Sequence, residues 1–200
     1  MSENTRKKIE TVLSNHIPER EVSFLLENAF KAEFKSKDIM INEGEHPYEL
    51  FLTIKGYAYV QKQAFDGRRV VLSFLGPGRI IGDFSIFVNR RRSASVVALT
   101  HLECIKFNGL NLDNICELAP SFAKFIMRQH IFSIIAFDDR LVALSDNDIS
   151  ARIENLREHL KISIENFSGN FQKLPFKLSQ EMMADFCGTS RETVSRYLNK

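Results

Sequence analysis

The sequence has little cysteine and no long apolar run. Its three cysteines are scattered over 200 residues and none stands in a CxxC pair. An iron–sulfur cluster needs four cysteine ligands, so none is expected, and the cysteine usage suits a reducing cytosol. No apolar stretch approaches the roughly 20 residues that cross a bilayer, and the polar start MSENTRKKIETVL has no signal-peptide core. We expect a cytoplasmic protein that does not bind a membrane.

An excess of either charge is missing as well. The chain carries 27 basic and 25 acidic residues, a net charge of +2, which excludes a histone-like polycation but not a local basic patch. Hydrophobic residues make up 44% and charged residues 26%, close to the averages for globular chains, so wholesale disorder is excluded. At this length the chain holds one large domain or two small ones.

Motifs of catalysis and metal binding are also absent from the sequence. Neither GxSxG nor GxxxxGK occurs, and the strand-rich segment holds only His46 and His101, which lie too far apart for a cupin-type metal cluster. We therefore predict that the chain is not an enzyme, with no catalytic residue and no metal site.

The chain changes texture twice along its length. Residues 1 to about 34 have an apolar side at helical spacings, and Pro18 predicts two short helices there rather than one. From about 35 to 108, short β-branched and aromatic runs alternate with glycine turns, and Asp66-Gly67 indicates a hairpin. This pattern predicts an antiparallel barrel or roll, so the fold class is α+β.

A long helix is predicted from about 112 to 145, where glycine is absent. A coiled-coil spacing of 4, 3, 4 and 3 defines what we term the predicted dimer seam: Met127, Ile131, Ile134, Asp138 and Leu141. A second apolar stripe runs beside it: Phe125, Phe132, Ile135 and Val142. Such a helix can cover its own roll with one stripe and a second copy with the other. A wide core-facing stripe in a monomer remains an equal alternative.

The segment LSQEMMADFCGTSRETVSRYLNK predicts a helix-turn-helix. Ser179 and Ser190 are the expected N-caps of its two helices. Ala184, Gly188 and Val194 have the spacing that lets two helices cross closely, turns the chain and fills the interface between the helices.

The second helix of this unit carries the residues that we predict to contact DNA. Arg191, Glu192, Ser195 and Arg196 project from one side near its N-terminus. Arginine can hold guanine O6 and N7 as a bidentate pair, and glutamate can accept a hydrogen bond from the cytosine amino group. Together with the two capping serines, Ser179 and Ser190, these residues form the predicted DNA-binding set.

A second candidate site lies in the roll. The segment Gly82-Asp83-Phe84-Ser85 follows a strand and can present backbone N–H groups at a short helix start, an arrangement that suits an anion. Arg92 and Ser93 would add a guanidinium fork and a hydroxyl. A solvated basic turn at residues 90–92 with no ligand remains the alternative.

The whole chain resembles the Crp/Fnr-type bacterial transcription regulators. Four stretches carry the resemblance in family order: INEGEHPYELFLTIKGYAYV, GPGRIIGDFSIF with RRRSASVVA, DNDISARI, and SRETVSRYL. The resemblance implies an effector-binding β-roll with a dimer helix at 1–145 and a DNA-binding domain at 146–200. It further implies a winged-helix type whose wing is missing from this chain. It also implies a homodimer on a two-fold symmetric duplex and contact with RNA polymerase.

Within that resemblance, Arg191, Glu192 and Arg196 match positions that read operator bases, and Ser195 resembles the oxygen-sensing branch. The implied half-site has a TGA-like core. The alternative is a cyclic-nucleotide-binding-like module that acts on a protein partner, with weak or no DNA binding of its own; the DNA-contact residues speak against it.

The effector stays open at this point. By resemblance Gly82, Asp83, Arg92 and Ser93 stand in a phosphate- and ribose-binding cassette, but Asp83 is one methylene shorter than the usual glutamate. Phe137 and Asp138 stand where relatives hold adenine; phenylalanine can stack on a base but cannot hydrogen-bond to it, and ionised aspartate cannot donate. Cyclic AMP is one candidate and is not favoured over another anionic effector or none. Asp138 in the predicted dimer seam leads to a further hypothesis, that paired carboxylates hold the effector-free state apart.

Overall fold

A computed structural model describes residues 3–13, 17–27, 29–108, 111–164 and 168–199. Two helices come first, α1 (Glu3–Leu13) and α2 (Glu19–Glu27), as predicted around Pro18. The predicted helical region nevertheless ends too late, because strand β1 occupies Ala29–Phe34. β1 pairs with a strand about seventy residues away, from Ala29 opposite Phe107 to Phe34 opposite Leu102. That distant partner overrides the local helical spacing.

The roll consists of eight strands in two antiparallel four-stranded sheets, and this confirms the predicted α+β class. After β1 come β2 (Ile39–Ile41), β3 (Glu49–Lys55), β4 (Ala58–Gln63), β5 (Arg69–Leu75), β6 (Ile80–Ile81), β7 (Ser95–Ala98) and β8 (Leu102–Asn108). The strand orders are β1-β8-β3-β6 and β2-β7-β4-β5. The predicted hairpin joins β4 to β5, with Gly67 at φ 83° in its turn.

Apolar side chains from both sheets fill the space between them. Phe51, Leu75, Val96 and Leu102 are among the buried residues of this inner core. A second core lies where α1 and α2 cover the outer face of the β1-β8-β3-β6 sheet, and it includes Leu25 and Phe107. A five-residue helix, α3 (Asp83–Phe87), interrupts the strands directly after β6.

The predicted single helix over 112–145 is wrong in its first turns. Helix α4 spans Leu112–Leu118, Ala119 breaks the helical geometry with φ −139° and ψ 59°, and α5 spans Pro120–Ser145. Proline lacks an N–H and disfavours the helical region for the residue before it, while its fixed φ suits the first position of a new helix. The long helix therefore begins at Pro120.

The apolar contact of α5 with the core of the roll lies at the start of the helix. Phe122 and Ile126 are fully buried against it, and Phe125 is partly buried there. The prediction that the second apolar stripe covers the roll is wrong for the other three residues of that stripe: Phe132 is 56%, Ile135 51% and Val142 72% exposed. Further along, α5 contacts the roll through polar groups: Gln129 bonds to Gly78 and Ile80, and Arg140 donates to the Leu72 carbonyl.

The C-terminal part of the chain is helical. Helix α6 spans Ile149–Ser163 with Asp148 as N-cap, and a short 3₁₀ turn lies at Phe171–Lys173. Helices α7 (Gln180–Cys187) and α8 (Arg191–Leu198) form the predicted helix-turn-helix. The predicted end of this domain, Lys200, lies outside the described residues.

The helical part and the roll share one apolar core. Val71 and Phe74 of β5 pack with Ile153 and Leu156 of α6 and with Phe186 of α7. Arg69 of β5 adds an ion pair to Asp185 of α7, with Nε 2.6 Å from a carboxylate oxygen.

None of the described helices is long and apolar enough to cross a bilayer. The His, Cys, Asp and Glu side chains of the described residues form no group of three or more that could hold a metal ion.

Candidate DNA interface and effector cavity

The turn between α7 and α8 has the geometry that its sequence predicts. Gly188 adopts φ 60° and ψ 41°, a left-handed conformation that glycine takes readily. Ser179 accepts a hydrogen bond from the Met182 N–H at 3.1 Å, and Ser190 accepts one from the Thr193 N–H at 3.2 Å. Both serines are therefore N-caps as predicted, and each hydroxyl oxygen serves as the acceptor of the cap.

A small core fixes the two helices against each other. Val194 is fully buried, Met183 is 2% and Ala184 is 4% exposed, and Tyr197 packs at the edge of the same cluster. Ala184 and Val194 are residues that the spacing predicted for the crossing. Because α8 is held by this face, its other face is free to meet a ligand.

The opposite face of α8 brings the predicted DNA-contact residues together. Arg191, Glu192, Ser195 and Arg196 line one groove of about 570 Å³. Gln180, the first residue of α7, and Asn199, which follows α8, complete the groove, and the sequence interpretation missed both. The spacing could have found Asn199, since it lies four residues after Ser195 on the same helix face. The groove thus presents two guanidiniums, one carboxylate and neutral hydrogen-bonding groups.

Glu192 is ionised at this surface. A hydrogen bond from its own backbone N–H, followed by one from the Ser190 hydroxyl, lowers the pKa of the Glu192 carboxyl. The carboxylate therefore acts only as an acceptor, as a contact with a cytosine amino group requires.

The second site is a cavity of about 860 Å³ between the roll, α5 and α6. Seven of the predicted effector residues line it: Gly82, Asp83, Phe84, Ser85, Arg92, Ser93 and Phe137. Asp138 is not part of the lining; it is exposed on α5, so the structure does not bring this predicted effector residue to the cavity. Counting along the chain could not decide which of two adjacent helical residues faces inward.

The guanidinium of Arg92 is hydrogen-bonded to backbone carbonyls of the protein. It is 4% exposed; its Nη1 donates to the Gly82 carbonyl at 2.5 Å and its Nη2 donates to the Glu49 carbonyl at 2.5 Å. Gly82 has φ 90°, and a Cβ there would lie 2.6 Å from Arg92 Nη1. Arg92 therefore ties the start of α3 to β3, and glycine is required at 82 for that approach.

Asp83 is also engaged. Its carboxylate is 2.5 Å from Nε2 of His130 on α5, and it raises the pKa of His130 through this hydrogen bond. This contact links the candidate cassette directly to the long helix. His130 was not foreseen, because nothing local in the sequence relates residues 83 and 130.

One wall of the cavity comes from the DNA-binding unit. His159, Ile162 and Ser163 of α6 line it. His159 Nε2 accepts a hydrogen bond from the Phe74 N–H at 3.1 Å and lies 3.1 Å from the Ser73 hydroxyl. Burial, followed by the nearby charges of Arg140 and Arg79, lowers the pKa of His159 to about 4, so the ring is neutral at pH 7.

The free side of α5 is apolar. Four residues of the predicted dimer seam are half exposed or more: Met127 61%, Ile131 50%, Ile134 59% and Leu141 52%. With Phe132, Ile135 and Val142 they form a continuous apolar helix face, and isolated monomers rarely leave such a face to solvent.

Comparison with known proteins matches both halves of the chain. The family described as "Cyclic nucleotide-binding domain" matches residues 31–118, and "Crp-like helix-turn-helix domain" matches residues 156–200. The helix-turn-helix match disfavours the alternative of a module that acts only on a protein partner.

Two relatives extend the similarity over most of the chain. The "CRP-like cAMP-activated global transcriptional regulator" of Mycobacterium tuberculosis is 25% identical over 166 residues, 83% of this chain and 74% of that protein. The "cAMP-activated global transcriptional regulator CRP" of Salmonella typhimurium is 24% identical over 167 residues, 83% of this chain and 79% of that protein.

Solved structures show the same fold. The c-di-GMP responsive global regulator CLP of Xanthomonas campestris has a TM-score of 0.75 at 20% identity, covering 90% of this chain and 89% of that one. FixK2 from Bradyrhizobium japonicum has a TM-score of 0.69 at 16% identity, covering 86% of this chain and 83% of that one. The roll, the long helix and the helix-turn-helix occur here in the same order, and the chain belongs to the Crp/Fnr family of DNA-binding transcription regulators.

Proposed function

We propose that two copies of this chain join through α5 and bind a two-fold symmetric operator, with an effector in the cavity setting the affinity. The action is binding without catalysis, it takes place in the cytoplasm, where bacterial DNA lies, and RNA polymerase is the further protein partner. The predicted division into 1–145 and 146–200 belongs to this proposal and is supported by the end of α5 at Ser145.

The groove on α8 is the observation that carries the proposal. Arg191 and Arg196 are exposed on the face that Val194 leaves free, on a helix that Ser190 caps. A helix of this kind fits the major groove, where arginine pairs with guanine and Glu192 accepts from cytosine. By family resemblance the half-site has a TGA-like core.

The apolar face of α5 supports the dimer. A second α5 laid along the predicted dimer seam would cover Met127, Ile131, Ile134 and Leu141 at coiled-coil spacing. Two-fold symmetry of the protein then requires two half-sites about 34 Å apart, one turn of DNA. The monomer alternative would leave these side chains in water.

The shared cavity wall supports effector control. A molecule in the cavity would contact the cassette at residues 82–85, Phe137 of α5 and His159 of α6 at once. A ligand that contacts these three elements more strongly in one arrangement of the DNA-binding unit than in another shifts the population towards the first arrangement. The effector thereby acts on operator affinity without touching DNA.

Fluorescence anisotropy with a labelled duplex tests the DNA claim. The full chain is titrated against a duplex with two TGA-type half-sites one turn apart and against a scrambled duplex of equal composition. We expect tighter binding to the first, a steep loss of affinity with added salt, and a loss of roughly 10- to 100-fold for Arg191→Ala. Lys173→Ala, an exposed cation outside the groove, is the matched control. Equal affinity for both duplexes would overturn the proposal.

A further inference from the structure

The cavity holds more positive charge than the protein itself balances. Three arginines line it: Arg79, Arg92 and Arg140. Among the described residues none of the three has a carboxylate within 4.0 Å, and Asp83, the acidic residue of the lining, is paired with His130. Burial lowers the pKa of all three guanidiniums, and it outweighs the opposite influence of Asp83 on Arg79 and of Glu49, Asp83 and Glu45 on Arg92.

Arg79 has the most donor capacity left. Its Nη2 donates to the Ser133 hydroxyl at 3.0 Å, and its buried Nε has no partner among the described residues. Arg92 and Arg140 each donate to two backbone carbonyls instead. A guanidinium whose only partner is a neutral hydroxyl gains a charge-assisted hydrogen bond when an anion arrives.

Most of the remaining lining is apolar. Side chains from both sheets, α5 and α6 form these walls: Ile41, Leu75, Ile80, Val96, Phe132 and Ile162. Among the polar side chains between them, Gln129 and His159 already bond to backbone groups of the roll. The apolar majority favours a ligand with an apolar body.

The groups that a nucleotide would need are already in use. Asp83 would have to leave His130 before it could accept from a ribose hydroxyl, and Arg92 holds Gly82 and Glu49. A phosphate at this end would compete with two short internal hydrogen bonds. An acid bound at Arg79 leaves all of these contacts intact.

We propose that the effector is an organic acid with one carboxylate and an apolar body, and that the guanidinium of Arg79 holds the carboxylate. This inference rests on the proposed function, because it names the effector class of the same cavity. The body lies along Ile80, Phe132 and Ile162, so the acid touches α5 and α6 together. Arg79 stands at the turn before β6, which places the charged end beside the cassette.

Isothermal titration of the full chain tests the assignment with two acids, decanoate as a flexible apolar body and 1-naphthoate as a rigid one. Decanol is the neutral match of decanoate, and cyclic AMP is titrated alongside. We expect saturable binding of at least one acid at one molecule per chain. Decanol should bind at least about 10-fold more weakly, since a hydrogen bond to a charged group is worth about 1.5–3 kcal/mol.

Two variants separate Arg79 from general charge effects. Arg79→Gln should weaken acid binding at least about 10-fold. Arg90→Gln, an exposed arginine outside the cavity lining, should leave it unchanged. The assignment is overturned if neither acid binds saturably, or if Arg79→Gln binds the acids as tightly as the parent. It is also overturned if the acids fail to bind while cyclic AMP binds and Arg79→Gln leaves that binding unaltered.

Duplex anisotropy on the same samples keeps the two claims apart. Specific duplex binding without acid binding means that the ligand class is wrong and the DNA function stands. Acid binding that depends on Arg79 but leaves duplex affinity unchanged means that the ligand class is right and effector control is wrong.

Discussion

Arg140 of the long helix holds Phe186 of the helix-turn-helix at two points. Its Nη2 donates to the Phe186 carbonyl at 2.7 Å, and its guanidinium carbon lies 4.2 Å from the centre of the Phe186 ring. The same side chain donates from Nη1 to the Leu72 carbonyl of β5 at 3.0 Å. One buried arginine thus joins the roll, the dimer helix and the DNA-binding unit.

Replacement of Arg140 tests this junction. Arg140→Met removes both hydrogen bonds and leaves two carbonyls unsatisfied, so we expect the free energy of unfolding to fall by about 2–4 kcal/mol. Urea denaturation measures the change. Arg128→Met, an exposed arginine on the same helix, should change stability by less than about 0.5 kcal/mol. Similar losses for the two variants would show that the junction is not held by Arg140.

Acid should weaken the fold through His159. In the unfolded chain a histidine titrates near 6.5, but in the fold the pKa of His159 is about 4. The fold favours the neutral ring, so this contribution is complete above about pH 6.5 and is lost as the pH falls through 4, by up to about 3 kcal/mol.

His159→Gln isolates that contribution, because glutamine keeps an acceptor for the Phe74 N–H and does not titrate. Unfolding free energies of both proteins at pH 7.5 and 4.5 give the comparison. We expect the variant to lose less stability than the parent between these values. Equal losses would mean that His159 does not link proton binding to folding.

A charge in the predicted dimer seam should separate the copies. Ile131→Glu places a carboxylate at a position that is half exposed in one chain and that the proposed dimer buries. Burial of an unpaired charge is costly, so we expect the dimer dissociation constant to rise at least about 100-fold. Sedimentation equilibrium measures it, and Gln172→Glu, exposed in the 3₁₀ turn, is the control. A parent that is monomeric throughout would favour the alternative of a monomer.

Removal of the charged seam residue should have the opposite effect. Asp138→Leu replaces facing carboxylates by apolar side chains, so the dimer should tighten by about 10-fold or more. We expect this variant to bind operator duplex without effector, measured by anisotropy. An undiminished need for effector would contradict the role given to Asp138.

Local chemistry made most of the DNA-contact unit predictable. Ser179, Gly188 and Val194 act through neighbours within a few residues, so their spacing alone specifies caps, turn and crossing. The short helix start at residues 82–85 was also located from its local pattern. Strand β1 was not predicted, because its partner strand lies about seventy residues away. The start of the long helix was predicted too early, because the helical spacing was given more weight than the helix-breaking effect of Pro120.

The hydrogen bonds and charge contacts that the cavity residues make within the protein could not be predicted in the same way. His130, His159 and Arg140 act through contacts that span 46 to 86 residues. Sequence indicated that Arg92 and Asp83 were free to bind a ligand, but in the fold each already has a partner. Which charges remain unbalanced depends on packing, and packing is a property of the whole fold.

Selection from a randomised duplex pool tests whether the chain recognises a two-fold symmetric operator. The full chain is used to enrich binding sequences, once with decanoate and once without ligand. We predict an enriched two-fold symmetric motif, with half-sites one helical turn apart and a TGA-like core that is lost with Arg191→Ala. No enriched motif under either condition, from a folded sample, would contradict it.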